Sequence, residues 1–463
     1  MASSFKSRYF GDRRFYKMVL SVAVPVMIQN GITNFVSLLD NIMVGRIGTN
    51  EMTGVASANQ ILFVYNLCCF GAMSGAGIFT AQFFGKNDQK GVSDTMRFKL
   101  YTGAGLAAIG TLVFLLFGEP LINLYLQGEG AAADALASLS CGVQYLRIML
   151  LGLLPFVLVQ CYAGSLRETG ETFVPMLAGI IAVLVNLCFN YMLIFGHFGF
   201  PAMGAAGAAI ATVLSRYVEL AIVMIWAHTH KKRYPFIQYV FKTPVIPLPL
   251  TRSVIIKGMP LMLNELFWSA GMAALTQCYS VRGLHVVAAV NISSTISNVF
   301  NVVYMALGSS VSIIVGQLLG AGKMEEAVDT DRKMIAFSVF GCLGVGVLLF
   351  FAAPLFPMIY NTTDEVRAVA AAIIRVCAVH MPFGSFMNAC YFTLRSGGKT
   401  VVTFFFDSVF VCCVSFPVAY VLAHFTSFPI SPLYITVLAL DIIKCVVGYV
   451  LVRKRVWVNN IVA

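Results

Sequence analysis

From Lys17 to Gly45 the chain reads KMVLSVAVPVMIQNGITNFVSLLDNIMVG, an apolar run interrupted at Gln29, Asn30, Thr33, Asn34, Ser37, Asp40 and Asn41. About 20 apolar residues suffice for a helix to cross a bilayer. At about 100° per residue the seven interruptions share one sector of roughly 140°, opposite a face of Val, Leu, Ile, Phe and Met. Polar groups left unpaired in hydrocarbon cost several kcal/mol each, so the stripe is expected to face protein or a water-filled cavity. It ends in a carboxylate, and an acid in a membrane helix is by default a functional candidate.

The same reading continues along the chain. Apolar segments bounded by charges or Gly/Pro turns fall at 17–45, 52–84, 95–118, 136–163, 172–195 and 205–228. A second set falls at 253–280, 285–319, 331–352, 366–393, 400–423 and 432–452. These predict an all-α polytopic membrane protein of about twelve transmembrane helices. Between the sets lies a basic, Pro-rich stretch, which sets the expected domains: an N-terminal six-helix lobe at 1–228, a cytoplasmic linker at 229–251 and a C-terminal six-helix lobe at 252–463.

The halves repeat. At an offset of 235, Pro25 meets Pro260, Asn66 meets Asn301, Gln82 meets Gln317, Gly85 meets Gly320, and Asp94-Thr95-x-Arg97 meets Asp329-Thr330-x-Arg332. Later the offset is 228: Arg147 meets Arg375, Leu166-Arg167 meets Leu394-Arg395, Gly170 meets Gly398 and Thr172 meets Thr400. The change of offset predicts a longer third external stretch in the first half, from Gly118 to Ala137. An even number of helices per half makes the repeats parallel. Two parallel six-helix halves around a midplane cavity describe a secondary transporter.

Composition agrees: 59% of the 463 residues are hydrophobic and 11% charged, against about 25% charged in soluble domains. The net charge of +11 would suggest nucleic acid, but its placement suggests topology instead. With a cytoplasmic N-terminus, 25 Lys and Arg fall inside, three outside (Arg46, Arg282, Arg367) and three within helices (Arg147, Arg216, Arg375). Both termini are expected in the cytoplasm. Gly48, Gly128 and Asn361 are expected outside; Asn87, Lys232 and Lys399 inside. The basic N-terminus lacks a cleavage site and reads as leading into a retained first helix. The twelve cysteines lie mostly in apolar runs without metal-ligand spacing and read as packing residues.

Further candidates lie in the second half. Glu265 is well inside helix seven, and helix eight offers Asn291, Ser293, Ser294, Thr295, Ser297, Asn298 and Asn301, whose oxygens suit a hard cation or a protonated acid. The alternative is a structural hydrogen bond from Glu265 to helix eight. Asp407 has no sequence-local partner and is a candidate proton or cation group. Arg216 with Glu219, and Asp441 with Lys444, are i,i+3 pairs expected to neutralise each other. Arg147 and Arg375 are expected to tether helices through carbonyls. Gly85 and Gly320, in Gln82-x-x-Gly85 and Gln317-x-x-Gly320, suit helix C-caps.

The chain resembles the multidrug and toxic compound extrusion (MATE) transporters of bacterial type over nearly its full length. The resemblance is carried by Pro25 followed by Asp40-Asn-Ile-Met-Val-Gly45, the paired Gln-x-x-Gly turns and Arg167-Glu-Thr-Gly170. It continues through Asn186-Leu-Cys-Phe-Asn190-Tyr-Met-Leu-Ile-Phe-Gly196 and Gly204-Ala-Ala-Gly-Ala-Ala-Ile-Ala-Thr212. It implies a two-lobed, twelve-helix antiporter driven by Na⁺ or H⁺, with amphipathic, often cationic cargo. By position, Asp40 matches the family's N-lobe acid, Asn186 and Asn190 match helix-five sites, and Thr212 a helix-six hydroxyl. Asn190 stands where some archaeal relatives have Asp. Glu265 matches the helix-seven acid of the NorM-type branch, whose helix-ten Asp is replaced by Gly384.

The expectation is therefore a multi-pass plasma-membrane antiporter exporting amphipathic, cationic drugs or metabolites by alternating access. The ion-coupling and cavity residues would be Asp40, Asn186, Asn190, Thr212, Glu265, Gln29, Asn34, Asn298 and Asp407, with Na⁺ at Asp40 or Glu265 as an alternative to H⁺. No cofactor and no nucleic-acid partner are expected; the partners are a small-molecule substrate and the bilayer, and the chain is expected to be a monomer. The alternative is a flippase for lipid-linked oligosaccharide or another lipid, which would need several cavity arginines for a diphosphate. An intramembrane enzyme is not expected, since His-Glu-x-x-His, paired intramembrane Asp and Gly-x-Ser-x-Gly motifs are missing from the sequence.

Overall fold

The computed structural model describes residues 8–126, 132–360 and 362–463. Gly128 and Asn361, two of the expected external positions, lie outside these. Among the described residues twelve long helical rods follow one another: α1 (Arg13–Gly45), α2 (Thr49–Gly85), α3 (Gln89–Leu126), α4 (Ala133–Glu168), α5 (Phe173–Phe195) and α6 (Gly204–Thr229). After a short helix at Phe236–Val240 come α7 (Leu248–Ser280), α8 (Leu284–Gly320), α9 (Met324–Ala352), α10 (Asp364–Ser396), α11 (Thr400–Phe425) and α12 (Ile430–Arg453). Eleven stretches among the described residues are long and apolar enough to span a membrane. The remaining rod, α7, has 33 residues, but Asn264 and Glu265 dilute its apolar character.

The helices start and stop near the expected points, with two differences. Helices α3 and α9 begin six or seven residues early because their charged first turns are already helical before the apolar run; Glu325 and Glu326 suit the positive end of α9. The long external stretch expected from Gly118 is instead helix as far as Leu126, with Pro120 inside it. Helix α4 is interrupted by a 3₁₀ turn at Leu150–Gly152 just before Pro155. Helix α11 carries two π-helical turns, Phe405–Val409 and Val411–Ser415.

The chain divides into two compact units. One comprises residues 28–80 and 88–255. Its core gathers Ala58, Leu62, Cys69, Ile122, Val157, Cys161 and Ala209. Helix α5 presses on α6 closely enough that a Cβ at Gly207 would collide with the Leu193 carbonyl. The linker is tied down: Arg97, buried and paired with Asp94, donates to the carbonyls of Tyr239, Val240 and Val245 at 2.8, 2.9 and 3.1 Å. A guanidinium there caps the negative end of the Phe236–Val240 helix.

The other unit comprises residues 1–27, 81–87 and 256–463. Its largest core joins Val19, Ala23, Val311, Leu319, Met334, Leu394 and Trp457. Here the repeated Gln-x-x-Gly turns interlock: a Cβ at Gly85 would strike the Gln317 carbonyl, and one at Gly320 the Gln82 carbonyl. These glycines serve close approach, not the C-caps expected of them. The left-handed residues are Asn87 (φ 61°) and Gly322 (φ 75°). Gln82, fully buried, donates to the carbonyls of Ser396 and Asn459 and accepts from the Ile461 N–H at 2.9 Å.

Three charge assignments need correction. Arg147 and Arg375 are exposed rather than tethering helices, and Arg375 lies over the Phe350 ring at 5.7 Å. Asp441 and Lys444 do not pair with each other: Asp441 meets His380 on α10 at 2.9 Å, and Lys444 meets Asp407 on α11 at 3.0 Å. A partner on a packed neighbouring helix outcompetes one a turn away. Lys444, counted among the charges expected inside, is buried within α12, which leaves 24 of the 25 charges expected inside.

Candidate functional site

Helices α1 and α5 lie side by side and parallel, since Gln29 packs on Gly179 and, eleven residues further along both, Asp40 meets Asn190. Asn190 Nδ2 donates to Asp40 Oδ1 at 2.6 Å. Asn186, one turn earlier on α5, lies between Asp40 and Thr212 of α6. With its nitrogen toward the acid it donates to Asp40 Oδ1 and Oδ2 at 3.0 and 3.2 Å, and its oxygen accepts from Thr212 at 3.2 Å. With the amide reversed, its nitrogen donates to Thr212 at 3.2 Å and its oxygen faces the acid. Both asparagines are buried and Asp40 is half-buried.

Two residues that sequence reasoning missed complete this group. Tyr145 of α4 is 5% exposed, has Asp40 and Arg216 as charged neighbours, and donates to Asn59 of α2 at 3.3 Å. Their only signal was a polar residue within an apolar helix. Arg216 keeps its expected i,i+3 contact with Glu219, at 3.3 Å, and lies over the Phe156 ring. Of the remaining helix-one candidates, Asn34 is exposed, while among the described residues Gln29 Oε1 is buried without a hydrogen-bond partner, as is Asn190 Oδ1. A native protein rarely leaves buried acceptors unpaired away from a functional site. Side chains of Ser37 and Asn41 lie outside the description. Behind Asp40, a cleft of about 590 Å³ between α1 and α5 is lined by Leu39, Met43, Arg46, Tyr191, Phe195 and Phe198.

The second-half candidates assemble differently from expectation. Helix α7 packs on α11, with Gly271 against Val411 and Phe267 edge-on to Phe404. Helix α8 instead turns Ser293 toward the Ala370 carbonyl of α10 and leaves Asn298 exposed. The α8 oxygens are therefore not gathered around Glu265, and among the described residues no hydrogen bond joins Glu265 to α8. Its charged neighbours are Arg395 and Asp407. The polar centre here is Asn264, which donates to Asp407 Oδ2 and to the Tyr391 hydroxyl, both at 3.3 Å. Ser408 donates to the Asn264 carbonyl and Oδ1 at 2.6 and 2.7 Å.

Among the described residues there is no group of three or more His, Cys, Asp or Glu side chains positioned to hold a metal ion. The family model MatE matches residues 25–192 and 260–421. "Probable multidrug resistance protein NorM" of Thermotoga maritima is 24% identical over 415 residues, covering 88% of this chain and 86% of its own. Its namesake from Shewanella oneidensis is 26% identical over 413 residues, covering 88% and 87%. Among solved structures, an outward-facing multidrug resistance MATE family transporter of the MOP superfamily superposes with a TM-score of 0.85 at 19% identity, over 96% of each chain. A MOP superfamily transporter from Pyrococcus furiosus, described as having reversed pocket polarity, does so with 0.82 at 19%, over 97% of each. At these identities the structures establish the fold alone.

Proposed function

Because this chain belongs to the MatE family of membrane transporters, we propose that it is a secondary active antiporter that exports amphipathic cations in exchange for protons across the plasma membrane. The observation that carries this reading is Asp40 held by two buried amides. A carboxylate needs donors, which Asn190 and Asn186 supply through nitrogen. A neutral carboxylic acid has a proton to donate, which the Asn186 oxygen accepts once that amide turns over. The site thus accommodates both protonation states with one rotation. A proton needs only this exchange of donor for acceptor at one amide, which supports it over Na⁺ as the coupling ion.

The cycle follows from differential binding. Facing the cytoplasm, ionised Asp40 and the unpaired oxygens of Gln29 and Asn190 attract a cation bearing N–H groups, and the apolar cleft accepts its hydrophobic body. Facing outward, a proton from outside neutralises Asp40 and the cation leaves. The proton is then released inside. The two lobes, 1–228 and 252–463, alternate access around this site with 229–251 as their cytoplasmic linker, both termini are cytoplasmic, and the monomer suffices. A flippase is disfavoured because Arg216, the cation near Asp40, is already engaged by Glu219.

The test is Asp40→Asn in proteoliposomes. Efflux of a cationic dye driven by a pH gradient should fall to the background of empty vesicles, while expression and thermal stability stay near wild type. Undiminished efflux by the variant, or efflux driven by a Na⁺ gradient at equal pH, would overturn the reading.

A further inference from the structure

In the unit formed by 1–27, 81–87 and 256–463 lies a histidine that coupling at Asp40 does not use. His380 Nε2 meets Asp441 Oδ2 at 2.9 Å, tying α10 to α12. A carboxylate at Nε2 fixes that nitrogen as the N–H and leaves the lone pair of a neutral ring on Nδ1. Among the described residues Nδ1 has no hydrogen-bond partner. It lies beside Gly384, one turn on, where a Cβ would sit 3.5 Å away; glycine leaves that edge of the ring uncovered. His380 shares its face of α10 with Tyr391, eleven residues further, which meets Asn264. The His380 and Asp441 side chains are 22% and 18% exposed, so the pair is neither sealed nor in open solvent.

The surrounding charges favour a proton here. Lys444, one turn after Asp441, is engaged by Asp407 at 3.0 Å. With a neutral ring, Asp407, Lys444, Asp441 and His380 carry one net negative charge, two carboxylates against one ammonium; with a protonated ring they carry none. Uncompensated charge within a membrane is costly. The other neighbours of Asp441, Tyr279 of α7, Tyr304 of α8 and Cys445 of α12, bring no positive charge. Arg395 faces Glu265, and Arg375 lies exposed over Phe350. Asp331 of α9 accepts from Thr393 at 2.5 Å and has Arg332 as its charged neighbour. We propose that His380 and Asp441 form a second proton-binding site, and that each export cycle returns two protons, one at Asp40 and one at His380 Nδ1. Uptake adds a proton to the Nδ1 lone pair and makes the pair an imidazolium and a carboxylate; release reverses it. A cargo of one positive charge then leaves against two protons, and each cycle carries one net positive charge inward. The proposal rests on the proton-antiport reading above.

The probe is ethidium, a fixed monovalent cation, in proteoliposomes of the full-length chain. At equal pH on both sides, a potassium-diffusion potential negative on the dye-loaded side opposes passive loss of the dye, yet should drive its efflux by wild type. His380→Gln and Asp441→Asn, left with one proton per cycle, exchange equal charges and should lose that response. With the potential clamped at zero, a gradient of about one pH unit should hold a dye ratio of about a hundredfold in wild type and about tenfold in either variant. Wild type that ignores the potential, or H380Q and D441N as responsive as wild type, would overturn the proposal. A second measurement needs no cargo. In histidine-labelled protein in detergent, the ring signal that H380Q removes should pass from the neutral to the charged form across the range in which imidazoles titrate, about pH 5 to 8. It should do so in wild type and in D40N alike, and a ring that keeps one form throughout would refute the site. Failure of the Asp40 reading shows separately, as undiminished efflux by D40N, and leaves both His380 readouts in place.

Discussion

An amide beside a carboxylate can turn either end to it, and that makes Asn186 more than a wall of the site. It links the acid on α1 to Thr212 on α6, whose own hydroxyl also reaches the Ala208 carbonyl at 3.0 Å. Asn186→Leu keeps the volume but removes both hydrogen-bonding ends. The loss of a hydrogen bond to a charged group is worth about 1.5–3 kcal/mol. Efflux by N186L should fall at least tenfold, whereas Thr212→Val, which spares the contact with Asp40, should cost about threefold or less; initial rates at matched expression decide. Equal losses would mean that the amide does not read the acid. Asp40, Asn186 and Asn190 were legible in the sequence because the polar stripe and the motif order mark them. Lys444 was misread because its partner is 37 residues away on another helix. Asn264 was overlooked because an amide beside a glutamate draws less notice than the acid.

Between helices, steric fit decides what pattern alone leaves open. The repeat offset found Gly85 and Gly320 as a pair, but a single-helix reading assigned them to caps, since the feature they serve exists only when two turns meet. Gly85→Ala and Gly320→Ala each place a methyl group against a carbonyl oxygen that has no room to retreat. Overpacking of this kind costs about 1–3 kcal/mol. Gly341 of α9 supplies the control, because a Cβ there meets nothing within 4 Å. Alanine is the better helix former, so Gly341→Ala should leave Tm unchanged or raised. G85A and G320A should each lower it by several degrees in the same scan, and similar Tm values for all three would show that the interlock relaxes. The α11 π-turns had no sequence signal at all, because a single extra residue per turn leaves an apolar helix looking like any other.

At the scale of the whole chain, a bilayer makes sequence unusually informative: it admits only segments that satisfy their own backbone, and it sorts their flanking charges. That is why twelve segments and two repeats could be read directly, while the meeting of Asn264 on α7 with Asp407 and Ser408 on α11 could not. The charge bias carries a prediction about orientation that survives moving Lys444 into α12, since 24 cationic residues then stand against three. All twelve cysteines would first be replaced, and those on the interior of the helices, such as Cys69, Cys161, Cys342 and Cys390, should go to Ala or Ser to avoid overpacking. Single cysteines are then introduced at Gly48, between α1 and α2, and at Asn87 and Lys232, on the α2–α3 turn and in the linker. A membrane-impermeant maleimide applied to intact cells should label Gly48→Cys and leave Asn87→Cys and Lys232→Cys unlabelled until the cells are permeabilised. Lys232 is the decisive position because it sits in a run of three basic residues, Lys231-Lys-Arg233, between the two halves, which the positive-inside bias predicts to be cytoplasmic. Labelling of Lys232→Cys in intact cells would reverse the orientation, and with it the direction in which protons at Asp40 drive the cargo.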